Sequence, residues 1–323
     1  MTSFLVPSNT RRTVLGLFYG LVVLSSSGCG KTTITGDPQT LSIVTTFSIP
    51  ADWAREIGGS RVRVFSLAGI DGDPHTFEPS PDDVLRLSKA NLVVSMGAGL
   101  EGWLGKVIQN SGFQGKLVVL AEGISLREGK CNHSKVESDH PEHSHEMDPH
   151  VWHDLQNVMT MVPRIQDALC EIDPAFSREY QVNCVRYLAI LKDLDSWTTT
   201  QISSIPASKR KLVTNHDTFG YFADRYGLKV AGTLLQSVST ESAEPSASEF
   251  VNLVKEVKKA GVSAIFAENT SNPKLMERLA AESGVRLGPK LYTDALGAPG
   301  SPGDSFVSMF RHNVTSITES LSK

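Results

Sequence analysis

The sequence predicts an α/β protein of two β/α lobes, each with a four-stranded parallel sheet, joined by a single long linker helix. Short runs rich in β-branched residues alternate with amphipathic segments from Leu41 onward. The alternation is interrupted between Asp173-Pro174 and Ile205-Pro206 by a stretch with little helix-breaking punctuation. At 1.5 Å per residue that stretch makes a helix of about 45 Å, long enough to act as a spine between lobes. The expected division is 41–173 for the N-terminal lobe, 174–205 for the linker helix and 206–323 for the C-terminal lobe.

In the first lobe, Leu41 to Ile49 reads as a strand, and Pro50 opens a short helix that stops at Gly58-Gly59. Val62 to Ala68 is a second strand, leading into the loop GIDGDPHTFEPSP. Ser80, Pro81 and Asp83 form an N-cap, a first-turn proline and a capping box for a helix to about Ala90. Leu92 to Met96 and Lys116 to Ala121 are further strands, with a helix near Gly102 to Asn110 between them. Asp154 can cap a helix with Leu155, Val158, Val162, Ile165 and Leu169 on its apolar face. Pro163 should kink or shorten it.

The second lobe repeats the pattern. Its expected strands are Lys211 to Thr214, Lys229 to Leu235, Ala264 to Ala267 and Leu291 to Thr293. Its expected helices are Phe219 to Tyr226, Ser246 to Ala260, Pro273 to Ser283 and Ser305 to Leu321. Ligands of open parallel sheets sit at the carboxyl ends of strands, so polar residues there carry the functional question.

The start of the chain stands outside this fold. Arg11 and Arg12 precede an apolar run, Val14 to Leu24, that leads into small residues, the arrangement of a secretory signal over 1–28. The run is too short for a typical membrane span. Its end at Cys29 resembles a bacterial lipobox, in which the cysteine is lipidated, although Ser26 stands where leucine is usual. Residues 29–40 then read as a lipidated tether, and the protein as exported, periplasmic or cell-surface, and lipid-anchored through Cys29. Of the other cysteines, Cys170 and Cys184 flank a helix–helix turn and are placed to pair, whereas Cys131 sits in a loop.

The chain has 323 residues, 40% hydrophobic and 20% charged, with a net charge of −4. That balance suits a globular protein and argues against a nucleic-acid partner, which would call for a basic patch. The distinctive stretch is DHPEHSHEMDPHVWHD, Asp139 to Asp154. Of nine histidines in the chain, six fall between His133 and His153, and imidazole is the commonest side-chain ligand for zinc. Four residues stand out at predicted element ends: His75 in GDPHTFEP, His150 in MDPHVWHD, His216 in TNHDTFGYF and Asp294 in LYTDALG. Three imidazoles and one carboxylate suit a tetrahedral ion, and two ligands from each lobe would place it in the interlobe cleft. Asp73-Pro74-His75 and Asp148-Pro149-His150 repeat one local design, in which the aspartate can orient the ring. His153 reads as a surface residue and His312 as an exposed position on the last helix. His133, His140, His143 and His145, in a loop over 131–147, read as an accessory metal-collecting segment. An enzymatic alternative, a zinc hydrolase, would need an open coordination position and a base. Glu268 is the best candidate base, with a structural carboxylate as its other reading.

These motifs resemble the substrate-binding proteins of bacterial ABC importers for zinc and manganese. The resemblance rests on GDPHTFEPSPDDV, SKANLVVSMGAGLEGWL, DPHVWHD, NHDTFGYFADRYGL, Glu244 to Ser246 and LYTDALG, and covers the chain from Leu41 to its end. It implies a monomeric carrier, not an enzyme, that uses no catalytic cofactor. The carrier would deliver Zn2+ to a membrane ABC permease and its ATPase, with metal ligands at His75, His150, His216 and Asp294. Manganese members usually place a carboxylate at the third ligand; His216 there favours zinc over Mn2+, which remains the alternative cargo.

Overall fold

The computed structural model describes residues 40–129, 147–235, 237–240 and 245–323. The signal, the tether, Cys29, Cys131 and the accessory histidines His133, His140, His143 and His145 lie outside the described residues.

The N-terminal lobe is built on four parallel strands, β1 (Leu41–Phe47), β2 (Val62–Ala68), β3 (Leu92–Ser95) and β4 (Lys116–Val119), in the order β2-β1-β3-β4. The β-branched run of β1 pairs in register with both neighbours, Val44 opposite Phe65 and Val93. Helix α1 (Ser48–Gly58) begins earlier than Pro50, which falls within its first turn, where a missing N–H costs no helical bond. Helix α2 (Pro81–Ser88) has the expected capping box, with Ser80 accepting from the Asp83 amide and Asp83 from the Ser80 amide. Helix α3 (Leu104–Ser111) ends on Gly112 in the left-handed conformation.

Helix α4 (Leu155–Ile172) continues through Pro163, capped by Asp154 accepting from the Gln156 amide. The expected shortening does not occur. Met161, Val162 and Ile165 around the proline are fully buried, and their packing offsets the one lost backbone bond. The long helix is α5 (Ser177–Ser203), 27 residues and therefore roughly 40 Å. Cys170 and Cys184, on these two helices, are free thiols and do not pair; Cys170 Sγ lies 3.7 Å from the Ser177 carbonyl.

The C-terminal lobe has parallel strands, but they do not form one continuous four-stranded sheet. Strand β5 (Lys211–Thr214) pairs with β6 (Lys229–Thr233), and β7 (Ala264–Ile265) with β8 (Arg286–Leu287). The predicted strand at Leu291 to Thr293 is reduced to a single parallel bridge between Leu291 and Glu268. The pairs are joined by the Phe266 amide donating to the Val213 carbonyl. Beyond that point side chains replace the ladder. Glu268 Oε1 accepts from the Asn215 and His216 amides at 2.8 and 3.1 Å, and Asn215 Oδ1 accepts from the Glu268 amide at 3.0 Å. Helices α6 (Gly220–Tyr226), α7 (Ala247–Ala260), α8 (Lys274–Ser283) and α9 (Phe306–Ser322) complete the lobe.

One apolar core unites the lobes. Trp53 and Ile57 of α1, Leu169 of α4, Tyr187, Leu191 and Leu194 of α5, and Phe306 and Ile317 of α9 belong to a single buried cluster. Trp53 meets Phe306 edge-on at 5.2 Å. Smaller clusters lie beneath α7 and α8 and beneath α2 and α3. Among the described residues no helix is long and apolar enough to cross a membrane.

Leu191 lies on the buried face of α5, where it is 0% exposed. Leu191→Ala should destabilise the protein by about 2–5 kcal/mol. Urea denaturation reads this directly, and a loss below about 1 kcal/mol would mean that α5 is not a packed spine.

Candidate metal centre

All four predicted site residues converge. Their nearest ligand atoms lie within 4.8 Å of one another, and all four residues are buried. His75 and His150 approach Nε2 to Nε2 at 3.2 Å, as do His150 and His216. Asp294 places Oδ2 3.1 Å from His216 Nε2 and Oδ1 3.6 Å from His150 Nε2. Each comes from a turn that the local sequence dictates. His75 follows β2, and Asp73 Oδ1 accepts its amide at 2.8 Å, closing an Asx turn around Pro74. His150 enters a short 3-10 turn, Val151–His153, after the matching Asp148-Pro149 step. His216 lies two residues past β5, and Asp294 three residues past the Leu291 bridge.

The rings are aimed from behind. Asp148 Oδ1 accepts from the His150 amide at 3.0 Å and from its Nδ1 at 2.8 Å, leaving the Nε2 lone pair facing the centre. Glu268 Oε2 does the same for His216 Nδ1 at 2.6 Å, and also accepts from Thr293 Oγ1 at 3.3 Å. The two Asp-Pro-His segments therefore differ. Asp148 orients a ring, whereas the bonds of Asp73 go to the His75 amide and to Thr240. Glu268 is fully engaged by two amides, an imidazole and a hydroxyl, which leaves it no role as a catalytic base.

The wall behind His150 is aromatic: Trp152 lies 5.2 Å from its ring, and the Trp152 indole donates to the Thr293 carbonyl at 2.9 Å, pinning the residue before Asp294. His153 belongs to this wall and not to the surface. It is 1% exposed, its ring lies 4.7 Å from Phe219, and its Nε2 has no hydrogen bond. His312 is likewise not free; its Nε2 lies 2.9 Å from the Lys290 carbonyl. A cavity of about 370 Å3, lined by Ala98, Gly99, Leu126, Pro149 and Val238, reaches the centre at His75.

Several supporting residues carried no sequence signal. Arg127 donates from Nη1 to Asp148 Oδ2 at 2.9 Å, and Asn269 ties the Asp294 turn through the Thr293 amide and the Ala295 carbonyl. Both lie in unremarkable polar segments, and only the folded chain brings them to the site.

Charge is arranged to receive a cation. Burial opposes ionisation of Asp294, but His216, His150 and His75 outweigh it and hold the carboxyl well below the usual range. Asp294 Oδ2 is buried without a hydrogen bond, an oxygen whose lone pairs face the centre. Burial also opposes protonation of His216, yet Glu268 and Asp294 raise it well above its ordinary 6.5. Burial, with repulsion from His150, lowers His75 to about 3, and the same two effects lower His153 to about 3.

These shifts set an acid sensitivity for the metal-free protein. Below pH 6.5 the unfolded chain protonates His75 and His153, while the folded chain resists until about pH 3. Stability should therefore fall as pH drops from 6.5 toward 5, with a slope approaching about two protons. His216, raised above its ordinary 6.5, contributes stability that is fully present below that value and is lost progressively as pH rises from there toward its folded value. Urea midpoints of metal-free protein that stay flat from pH 6.5 to 5 would contradict the buried, neutral state of His75 and His153.

A family model for the zinc-uptake complex component A, periplasmic, matches residues 43–320. The manganese-binding lipoprotein MntA of Halalkalibacterium halodurans is 32% identical over 307 residues, 94% of this chain and 96% of that protein. The iron ABC transporter substrate-binding lipoprotein MtsA of Streptococcus pyogenes serotype M1 is 30% identical over 321 residues, 96% and 98% of the two chains. Among solved structures, the periplasmic zinc-binding protein TroA of Treponema pallidum superposes with a TM-score of 0.77 at 31% identity, covering 88% of this chain and 100% of that one. With its two lobes, its long helix and its buried cluster of three histidines and an aspartate, the chain belongs to the zinc-uptake complex component A family, the metal-binding substrate carriers of ABC importers.

Proposed function

We propose that the protein captures Zn2+ between its lobes through His75, His150, His216 and Asp294, and delivers it to an ABC permease and its ATPase. The donor set carries this reading. The Nε2 atoms of His75 and His216 each lie 3.2 Å from that of His150, and the two oxygens of Asp294 lie 3.1 Å from His216 Nε2 and 3.6 Å from His150 Nε2. Zinc bonds of 2.0–2.1 Å in a tetrahedron require separations of roughly 3.3 Å. Three imidazole nitrogens favour zinc over manganese, which binds such sites more weakly and prefers oxygen. Manganese is the alternative cargo, because the similar MntA carries that metal in its name and Asp294 offers a second oxygen. In the same reading the chain is exported and lipid-anchored at Cys29, as the similar MntA and MtsA are named lipoproteins. His133, His140, His143 and His145, a run of imidazoles among acidic side chains, are assigned the role of accessory collectors.

Isothermal titration should give one tight zinc per chain. Glu268 and Asp294 favour the imidazolium form of His216 in the metal-free centre, and a proton held at Nε2 must leave when zinc enters. About one proton should be released per zinc near neutral pH, and affinity should keep rising with pH above 6.5. Titrations in two buffers of different ionisation enthalpy measure this; release of no proton at pH 7 would contradict the His216–Asp294 ion pair.

His216→Glu replaces a borderline nitrogen by a hard oxygen. It should weaken zinc and narrow the preference for zinc over manganese by about tenfold or more. Competition titrations that leave the ratio unchanged would remove His216 from the ligand set.

A further inference from the structure

Both aspartates that fix a candidate ligand of the N-terminal lobe have a second connection, and it leads across the cleft. Asp73 Oδ1 holds the His75 amide, while Asp73 Oδ2 accepts the Thr240 hydroxyl of the C-terminal lobe at 2.5 Å. Asp148 Oδ1 holds the His150 amide and ring, while Asp148 Oδ2 accepts Arg127 Nη1. Arg127 in turn donates from Nε to Asp224 of α6 at 3.1 Å. Tyr221, also on α6, closes the circuit: its hydroxyl donates to the Asp148 carbonyl at 2.8 Å and accepts the Arg127 amide at 3.0 Å.

The sequence of α6 is shaped to this crossing. Its first residue is Gly220, where a Cβ would fall 1.6 Å from Arg127 Nη1 and 2.8 Å from Asp148 Oδ2. No larger residue leaves room for the guanidinium to lie over the helix start and reach both carboxylates. The planar fork of arginine suits this double contact; a lysine ammonium is a single point charge.

We infer that Asp73 and Asp148 are two-ended latches: Asp148 sets the His150 ring and is tied to the C-terminal lobe through Arg127 and Tyr221, while Asp73 sets the backbone turn at His75 and is tied to it through Thr240. Arg127 and Thr240 are the positioning residues through which lobe contact reaches His150 and His75. Parting the lobes therefore does more than separate His75 and His150 from His216 and Asp294. It also withdraws the bonds that aim the aspartates, so the remaining half-site holds the ion loosely. This inference rests on the proposed zinc site and adds to it a coupling between closure and ligand geometry.

The test uses purified full chain and three substitutions on the far side of the cleft: Tyr221→Phe, Asp224→Ala and Thr240→Val. None removes a zinc ligand or an oxygen of Asp73 or Asp148. Zinc dissociation is followed by stopped-flow into excess chelator, and Co2+ loaded in place of zinc reports ligand geometry by its visible absorption. Loss of partners beyond the ligands typically costs about 10–100-fold in metal affinity. The triple variant should accordingly release zinc about tenfold faster or more, with altered Co2+ bands and an unchanged one-to-one stoichiometry. Arg127→Lys should resemble Asp224→Ala, because it keeps a charge beside Asp148 but loses the fork. Wild-type release rates and Co2+ bands in the triple variant would overturn the latches, as would a lowered melting temperature of the metal-free protein with no kinetic change. Failure of the wild-type chain to bind zinc or Co2+ tightly would instead overturn the site on which the latches rest.

Discussion

The arrangement depends on one constraint: four electron-pair donors are held face to face in a buried space. The His150 Nε2 lone pair is committed to the centre because its Nδ1–H is spent on Asp148. Asp294 Oδ2 is buried beside it with no hydrogen bond of its own. A buried acceptor left unsatisfied costs free energy, and a buried charge costs more. Without a cation, Glu268 and Asp294 favour a proton on His216, whose Nε2 lies 3.1 Å from Asp294 Oδ2, an attraction between charges that falls short of a well-aligned hydrogen bond. In the proposed site, a divalent ion would replace that proton and satisfy all four donors at once. The donors are thus preorganised for a cation.

Preorganisation of this kind needs a frame that does not relax, and the shared core supplies it. Helices α1, α4, α5 and α9 pack into one cluster that spans both lobes. The lobes are therefore not two independent domains on a flexible string. Motion that opens the cleft must work against packed side chains such as Trp53 on Phe306, and against the Asp52 carboxylate that accepts the Phe306 amide at 3.0 Å. Burial pushes Asp52 up to about 6, which marks how thoroughly this contact between α1 and α9 is shielded from water. A stiff hinge keeps the donor geometry specific, and interactions at the cleft mouth can decide when it opens.

The four converging residues were legible because each sits in a short motif with a mechanical reason: an Asp-Pro step before two histidines, and a strand end before His216 and Asp294. The linker helix was legible from an uninterrupted run of helix-compatible residues. What sequence reasoning misplaced depended on tertiary contacts. His153 looks like a polar helix-entry residue, yet Trp152 and Phe219 enclose it. Pro163 looks like a helix breaker, yet its packed neighbours carry the helix through. The C-terminal sheet looks continuous in pattern, but Asn215 and Glu268 exchange side-chain bonds with each other's backbone where a ladder would otherwise extend. Arg127 and Thr240 had no local signature at all, since their meaning comes from what lies across the cleft.

The charge of the centre offers a further reason for selecting a divalent cargo. Asp294 faces the donors directly, while Asp148 and Glu268 stand behind two of the imidazoles. Arg127 places one guanidinium on Asp148. With the imidazoles neutral, and with the exposed Asp224 that also pairs with Arg127 screened by solvent, three buried carboxylates against one guanidinium leave two negative charges at the centre. A divalent cation makes that set neutral, whereas a monovalent ion would leave an uncompensated charge in a buried site. The Arg127 fork therefore does two things with one side chain. It aims Asp148, and it trims the total charge from a value suited to three positive charges down to one suited to two.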